Sequence, residues 1–179
     1  MSIAGIIFLV VIGLVLAFLV SIRIEVAKQR RAVETARARL ASAKVLRRSE
    51  GVSVEVVLQN GKSIAHIPRK AICALAEDGV YCLSEDGRWG ARARFAPGAA
   101  GVGDVALAGP PVLVKGGKAV DVILPAWLAT GLAKLPPDGL LLQFQIGLSW
   151  LVAVPEPDEW FAALTAAIQR AEGPAAATT

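Results

Sequence analysis

The sequence predicts a mixed α+β fold: an N-terminal transmembrane helix continuing into a basic helix, then a small antiparallel β barrel or sandwich closed by a C-terminal amphipathic helix. Three observations support this prediction. Residues 2–22 are uncharged and strongly apolar, residues 52–95 contain short alternating runs separated by turn sequences, and residues 159–171 repeat apolar side chains at helical spacing. The chain therefore combines one membrane segment with one compact folded unit.

The membrane anchor is predicted over Ser2–Ile22. Fifteen of these 21 residues are Leu, Ile, Val or Phe, and none is charged. As a helix the segment would be about 31 Å long, which matches the hydrocarbon core of a bilayer. The alternative is a cleaved secretory signal, which needs a basic start, a shorter apolar core and a small-residue cleavage site. The segment has none of these features, so we expect residues 1–22 to be retained as an anchor.

The charges behind the anchor predict its orientation. Nine basic residues and only two acidic ones lie between Arg23 and Arg48. Such an excess of Lys and Arg stays in the cytoplasm, so we expect a single-pass inner (plasma) membrane protein with its amino terminus outside. The whole chain carries only +4, which leaves the remainder slightly acidic. A nucleic acid partner is not expected, because basic residues do not alternate with aromatic ones.

Residues 23–50 are predicted to form a basic juxtamembrane helix, since the segment contains neither Gly nor Pro and is rich in Ala, Arg, Glu and Leu. Arg23, Lys28, Arg30 and Arg31 are the candidate contacts with anionic head groups, each contributing about 1 kcal/mol near the surface. The alternative is that these charges only set topology and solvate the helix.

A second candidate contact lies inside the anchor. Gly13, Ala17 and Ser21 recur every four residues and so share one helix face. Small residues on one face allow another membrane helix to approach closely. Because small residues are common in membrane helices, a chance arrangement is the alternative.

Residues 51–172 are predicted to form one cytoplasmic β-rich domain. Val52–Leu58 alternates in polarity, Asn60–Gly61 favours a tight hairpin turn, and Pro68 should end the partner strand that starts at Lys62. Further strands are predicted over 71–76, 80–83, 88–95, 118–124, 140–146 and 150–154. The Gly-rich stretch 98–103 lacks the Lys and Ser/Thr of a phosphate-binding loop, so a flexible loop is expected across 96–117, and 126–135 is predicted as a short helix.

The C-terminal helix is predicted over Glu159–Ala171, with Asp158 as its N-cap. Trp160, Leu164 and Ile168 are four residues apart and form one apolar stripe, which should pack on the sheet. Residues 173–179 are expected to be a disordered tail.

The helix sequence from Pro157 to Ile168, together with the strands from Val52 to Phe95, resembles the pleckstrin-homology-like fold of bacterial single-pass membrane proteins. This resemblance implies a scaffold for binding proteins or lipids, without catalysis. The sequence departs from the family in its extra helix at 126–135 and its Gly-rich loop. Its first hairpin also lacks the dense basic cluster of phosphoinositide-binding members, so the resemblance assigns no functional residue.

Residues suited to catalysis or metal binding are sparse. His66 is the only histidine, and Cys73 and Cys82 have no second cysteine pair with zinc-site spacing. In a reducing cytoplasm the two cysteines should be thiols, although adjacent strands would permit a disulfide if the orientation were reversed. We therefore expect no catalytic residue, no metal site, no cofactor and no enzyme activity.

The sequence thus favours a membrane-anchored cytoplasmic adaptor that binds a membrane or cytoplasmic protein, or associates with itself, within a membrane complex. The alternative is a peripheral module that senses anionic lipids through the basic helix and the β domain.

Overall fold

The computed structural model describes residues 3–58, 62–95, 103–120 and 135–172, with side chains from residue 11 onward. The helices within these residues are α1 (Ile3–Ser42) and α2 (Pro157–Glu172). The strands are β1 (Val45–Leu58), β2 (Ser63–Ala76), β3 (Gly79–Ser84), β4 (Gly90–Arg94), β5 (Asp104–Ala106), β6 (Val112–Lys115), β7 (Lys118–Ala119), β8 (Asp138–Gln143) and β9 (Leu148–Ala153).

These strands form one curled sheet in the order β5-β4-β3-β2-β1-β9-β8-β6-β7. Every pairing is antiparallel except that of β4 with β5. The mixed α+β class is therefore confirmed, with an N-terminal helix, an antiparallel sheet and a C-terminal helix.

The sheet curls far enough for its β5 side to meet the end of β8. Leu107 and Phe144 form an antiparallel bridge. On either side of it, the amide of Ala108 donates to the carbonyl of Gln143 at 2.8 Å and the amide of Gln145 donates to the carbonyl of Ala106 at 3.1 Å. These bonds satisfy backbone groups that would otherwise be left at an open edge, and we call the resulting body the barrel.

The core of the barrel is filled by inward-facing side chains of the sheet and by one face of α2. Trp150 is its centre, with Phe144 and Trp89 packed edge-to-face at centroid distances of 4.7 and 5.5 Å. From α2, Trp160 and Leu164 are buried in the same cluster and Ile168 packs against it. The predicted docking of the C-terminal helix on the sheet is thus confirmed.

The N-terminus of α2 differs slightly from its prediction. The helix begins at Pro157, a residue well suited to the first helical position because its missing N–H needs no partner there. The carbonyl of Glu156 accepts the first two helical amide bonds, from Glu159 and Trp160. Asp158 therefore lies in the first turn instead of capping the helix, and its carboxylate pairs with Lys115 at 2.7 Å.

The basic helix predicted over residues 23–50 is shorter in the structure. Helix α1 ends at Ser42, and residues 45–50 belong to β1, whose residues 45–49 lie opposite residues 73–76 of β2. Arg47, on this part of β1, forms ion pairs with Glu156 and Glu159. Tertiary pairing thus overrides the good helix propensity of this stretch, and the predicted boundary between residues 50 and 51 falls inside a strand.

Two irregular positions bend the long β1–β2 hairpin near its middle. Gly51 has a φ of +66° and Arg69 a φ of +46°, and the strand register shifts between Ser49 and Val52. Pro68 was predicted to end its strand because it cannot donate a ladder hydrogen bond. Instead β2 continues through Pro68 to Ala76, because the register of the β1–β2 pairing is irregular next to Pro68, at Arg69. The Arg69 amide donates to the Ser53 hydroxyl at 3.0 Å.

The region 96–117, predicted as a loop, contains the short strands β5 and β6. They are held by neighbouring strands and not by local sequence. Several predictions lie outside the described residues: the Asn60–Gly61 turn, most of the Gly-rich stretch, residues 121–124 of one strand, nearly all of the 126–135 helix and the 173–179 tail.

Candidate functional site

Residues 11–22 of α1 form an apolar rod that projects away from the barrel. Nine large apolar side chains between Val11 and Ile22 are each between 40 and 66% exposed, and they surround the helix on all sides. A helix that is apolar on every side is normally found buried in a protein interior or in lipid. This segment therefore needs an apolar environment that the barrel does not provide.

In the part of the chain that the structure describes, no helix is both long enough and apolar enough to cross a bilayer. The anchor predicted over Ser2–Ile22 begins before the described side chains, because those of residues 2–10 lie outside them. It stays a prediction.

The predicted helix-packing residues Gly13, Ala17 and Ser21 are all exposed on the described part of the rod. A Cβ built at Gly13 would meet no atom within 4 Å. The Ser21 hydroxyl donates to the carbonyl of Ala17 at 2.9 Å, so its polar group is satisfied within the helix. The face is open and could accept a second helix.

The predicted membrane-surface residues Arg23, Lys28, Arg30 and Arg31 are exposed and follow the rod directly. Lys28 forms a 3.5 Å ion pair with Glu25, one turn earlier on the helix. The next residue toward the barrel that is buried is Val33. Val33 is eleven residues beyond Ile22, which is about 16 Å along the helix. The β3–β4 turn of the barrel reaches farther back, to the neighbourhood of Val26 and Arg30.

The second half of α1 packs on the outer face of the sheet. Ala36 is buried against Ala74, Ala76, Tyr81 and Leu83 of β2 and β3, with Leu40 beside this cluster. The small side chains on both surfaces allow the helix axis to lie close to the sheet. The helix is therefore part of the folded body from Val33 onward, which makes the link to the exposed rod continuous.

A buried ion cluster fixes this helix to the barrel. The Asp104 carboxylate is 3% exposed, and it accepts hydrogen bonds from Nε and Nη2 of Arg92 at 3.0 and 2.7 Å. Nη1 of Arg39, on α1, donates to both of its oxygens at 2.8 Å. A carboxylate held by two guanidinium groups is a strong arrangement, and it joins α1, β4 and β5.

The cluster extends to the only tyrosine of the chain. Asp78 accepts hydrogen bonds from the Tyr81 hydroxyl at 2.8 Å and from Nη1 of Arg92 at 2.6 Å. Burial, and then the hydrogen bond to Asp78, raise the pKa of Tyr81 to about 12. Burial alone would lower the pKa of Arg92, but its hydrogen bonds with Asp104, Tyr81 and Asp78 raise it above the usual value. Tyr81 is thus held as the neutral phenol and Arg92 as the charged guanidinium at neutral pH.

The half of β2 nearest the hairpin tip has an unpaired edge. Residues 63–67 pair with β1, but β3 pairs only with residues 71–76. Among the described residues, no strand covers the other side of 63–67, and Ile64 there is 52% exposed. An edge of this kind presents free backbone amides and carbonyls to a partner strand.

A groove of about 510 Å³ lies across one face of β1 and β9 and reaches β2 at His66 and Arg69. Its lining includes Ser53, Glu55, His66, Arg69, Asp138 and Leu151. Glu55 and His66 are cross-strand neighbours, and the exposed Arg69 side chain has no ion pair within the described part of the chain. The groove combines polar groups with an apolar floor, and it can hold an extended segment.

The described residues that could bind a metal ion or act as nucleophiles are few. Within the described residues, no group of three or more His, Cys, Asp or Glu side chains is placed to hold a metal ion. Cys73 and Cys82 are buried opposite each other on β2 and β3. Burial, and then the neighbouring Cys73, raise the pKa of the Cys82 thiol well above its ordinary value, which makes it a poor nucleophile.

The fold and the surface of the described residues define a mixed α+β protein, in which a curled sheet is carried on a long helix and residues 11–22 of that helix are an exposed apolar rod. No family model matches the chain, and neither a curated protein nor a solved structure matches it.

Sequence reasoning identified the apolar rod and the basic residues behind it, but it missed the ion cluster and the open edge. Arg39 and Asp104 are 65 positions apart in the sequence, and their types alone do not distinguish them from other surface charges. The open edge of β2 exists because the β2–β3 pairing covers only residues 71–76. A hint was available at Pro68 and Arg69, where β2 leaves its regular register.

Proposed function

We propose that this chain is a membrane-anchored adaptor, which uses residues 2–22 as the anchor and holds its barrel close to the cytoplasmic face of the inner membrane. The observation that carries the proposal is the unbroken helix α1, which joins an exposed apolar rod to a docked segment. A continuous helix transmits position and orientation, which a flexible linker would not. The excess of basic residues after the rod supports the cytoplasmic orientation.

The binding surface that we propose is the open edge of β2 with its neighbouring groove. Its occupant is an extended segment of a partner protein that adds as a strand along residues 63–67. The unpaired backbone supports strand addition, and the exposed Arg69 and Lys70 beside it favour an acidic segment. The described charged groups are accounted for by structural ion pairs or by solvent, so we propose an adaptor and not an enzyme.

A matched pair of variants tests the surface. Ile64→Lys places a charge on the edge, which disfavours strand addition. Ile146→Lys places the same charge at a comparably exposed isoleucine, 63% exposed, in the β8–β9 turn. The full chain is purified from membranes with its stoichiometric companion; we expect Ile64→Lys to lose the companion and Ile146→Lys to keep it. Equal retention of the companion by both variants, or no companion in the unmodified protein, would contradict the proposal that the β2 edge is the binding surface.

A second candidate function is the sensing of anionic lipids. The β3–β4 turn supports it, because Asp86, Gly87 and Arg88 lie beside Val26 and Arg30 of α1, next to the predicted membrane surface. The full chain in nanodiscs with zwitterionic or anionic lipid separates the two functions. Slower hydrogen exchange of this turn in the anionic discs, reversed by salt, would favour lipid sensing. Equal exchange rates in the two kinds of disc would favour the adaptor function.

The pleckstrin-homology-like assignment is also part of this proposal. It is supported by the antiparallel run β1-β2-β3-β4 and by α2, which packs its Trp160 into the barrel core. The parallel β5 and the short pair β6–β7 are additions to that arrangement.

A further inference from the structure

Cys73 and Cys82 occupy directly opposite positions on neighbouring antiparallel strands. Their registers match one to one in the β2–β3 pairing, and their Sγ atoms are 2.8 Å apart. Directly opposite residues of an antiparallel pair have Cα atoms within the range that a disulfide spans. No movement of the strands is therefore needed to join the two sulfurs.

Both thiols lie inside the barrel core. Each residue is fully buried, within the same cluster as Val54, Leu75 and Trp150. Disulfide exchange requires a thiolate to attack a donor disulfide through a mixed-disulfide intermediate. The closed core excludes such a donor, and burial disfavours the thiolate. Exchange is therefore confined to states in which β2 and β3 have separated.

We propose that Cys73 and Cys82 are a disulfide-forming pair whose redox state is set while the chain folds and is then sealed by the barrel. In the oxidised form one Sγ–Sγ bond replaces two S–H bonds. The two protons and two electrons pass to a donor disulfide, such as glutathione disulfide, which leaves as two thiols. This inference does not depend on the proposed binding surface, since it uses no residue of the β2 edge. In the reducing cytoplasm of the proposed orientation, the pair would be sealed as two thiols.

The test uses the full chain, synthesised in vitro into nanodiscs in the presence of either glutathione disulfide or a reducing agent. Free thiols are counted by alkylation after denaturation, and the intact mass is measured. Synthesis with glutathione disulfide should give no free thiol, a mass lower by two hydrogen atoms and no glutathione adduct. Two free thiols, or adducts on separate cysteines, would overturn the pairing.

Sealing is tested on protein made under reducing conditions, which is exposed to glutathione disulfide only after folding. Its oxidation should be slower than that of the same protein in denaturant by about two orders of magnitude or more, as expected for a group that opens only with the core. Equal rates would overturn the sealing. Cys73→Ala and Cys82→Ala serve as controls, because each retains one thiol and cannot show the loss of two hydrogen atoms by an internal bond.

Discussion

The Asp104 carboxylate accepts two hydrogen bonds from the Arg92 guanidinium, at 3.0 and 2.7 Å, in a place where only 3% of the Asp104 side chain is exposed. Arg39 of α1 donates to the same carboxylate. The contact between these three side chains therefore determines how α1 is held on the barrel.

Asp104→Asn should destabilise the full chain in detergent by about 3–5 kcal/mol, because it leaves two guanidinium groups near the interior without their charge partner. Urea unfolding followed by tryptophan fluorescence measures the change. The control is Glu50→Gln, which removes the exposed Arg48–Glu50 pair and should cost less than about 1 kcal/mol. Equal effects of the two substitutions would show that the cluster has no special role.

Ala36→Leu should loosen α1 from the sheet. Ala36 is buried against Ala74, Ala76, Tyr81 and Leu83, so a larger residue forces the helix outward and costs about 1–3 kcal/mol. Hydrogen exchange of residues 33–42 should become faster. Ala38→Leu adds the same atoms on the exposed side of the helix and should leave exchange unchanged; faster exchange in that variant too would indicate that the helix is not docked by this face.

The titration of Tyr81 should report the ion cluster directly, since the chain has one tyrosine. The phenol should ionise with a pKa of about 12 in the folded protein, measured by ultraviolet absorbance, against about 10 in the unfolded chain. Because the folded value is the higher one, the contribution of the neutral phenol to stability is present below about pH 10 and is lost as pH rises through about 12. Asp78→Asn should move the folded pKa downward, and a midpoint near 10 in the unmodified protein would contradict the burial of this group.

Gly51→Ala should destabilise the protein by about 1–2 kcal/mol. Its φ of +66° is costly for any residue with a Cβ, while the nearest atom, the carbonyl oxygen of Arg69, would be an unstrained 3.9 Å away. Gly109→Ala, at an open position without positive φ, should be close to neutral. Chemical unfolding of both variants checks this, and a neutral Gly51→Ala would show that the bend tolerates other backbone angles.

The sequence predicted well what is encoded locally. Strand alternation from Val52 and the spacing of Trp160 and Leu164 both follow from short-range periodicity, and the structure confirms them. Prediction from the sequence failed where the structure of a segment is decided by residues distant from it in the chain. Residues 45–49 have helix-forming composition yet pair with residues 73–76. The ion cluster joins positions that no sequence pattern relates. The open edge could not be predicted, because it depends on the end of the β2–β3 pairing.

The central claim is that the exposed apolar rod of α1 is embedded in a membrane, and alkaline carbonate washing of membranes tests it most directly. The unmodified chain and the control Ile146→Arg should stay in the membrane pellet. Leu16→Arg places a charge in the middle of the rod, which makes the free energy of membrane insertion less favourable by about 2.5–3.5 kcal/mol. Part of this variant should therefore appear in the wash. Complete release of the unmodified chain by carbonate would contradict the account.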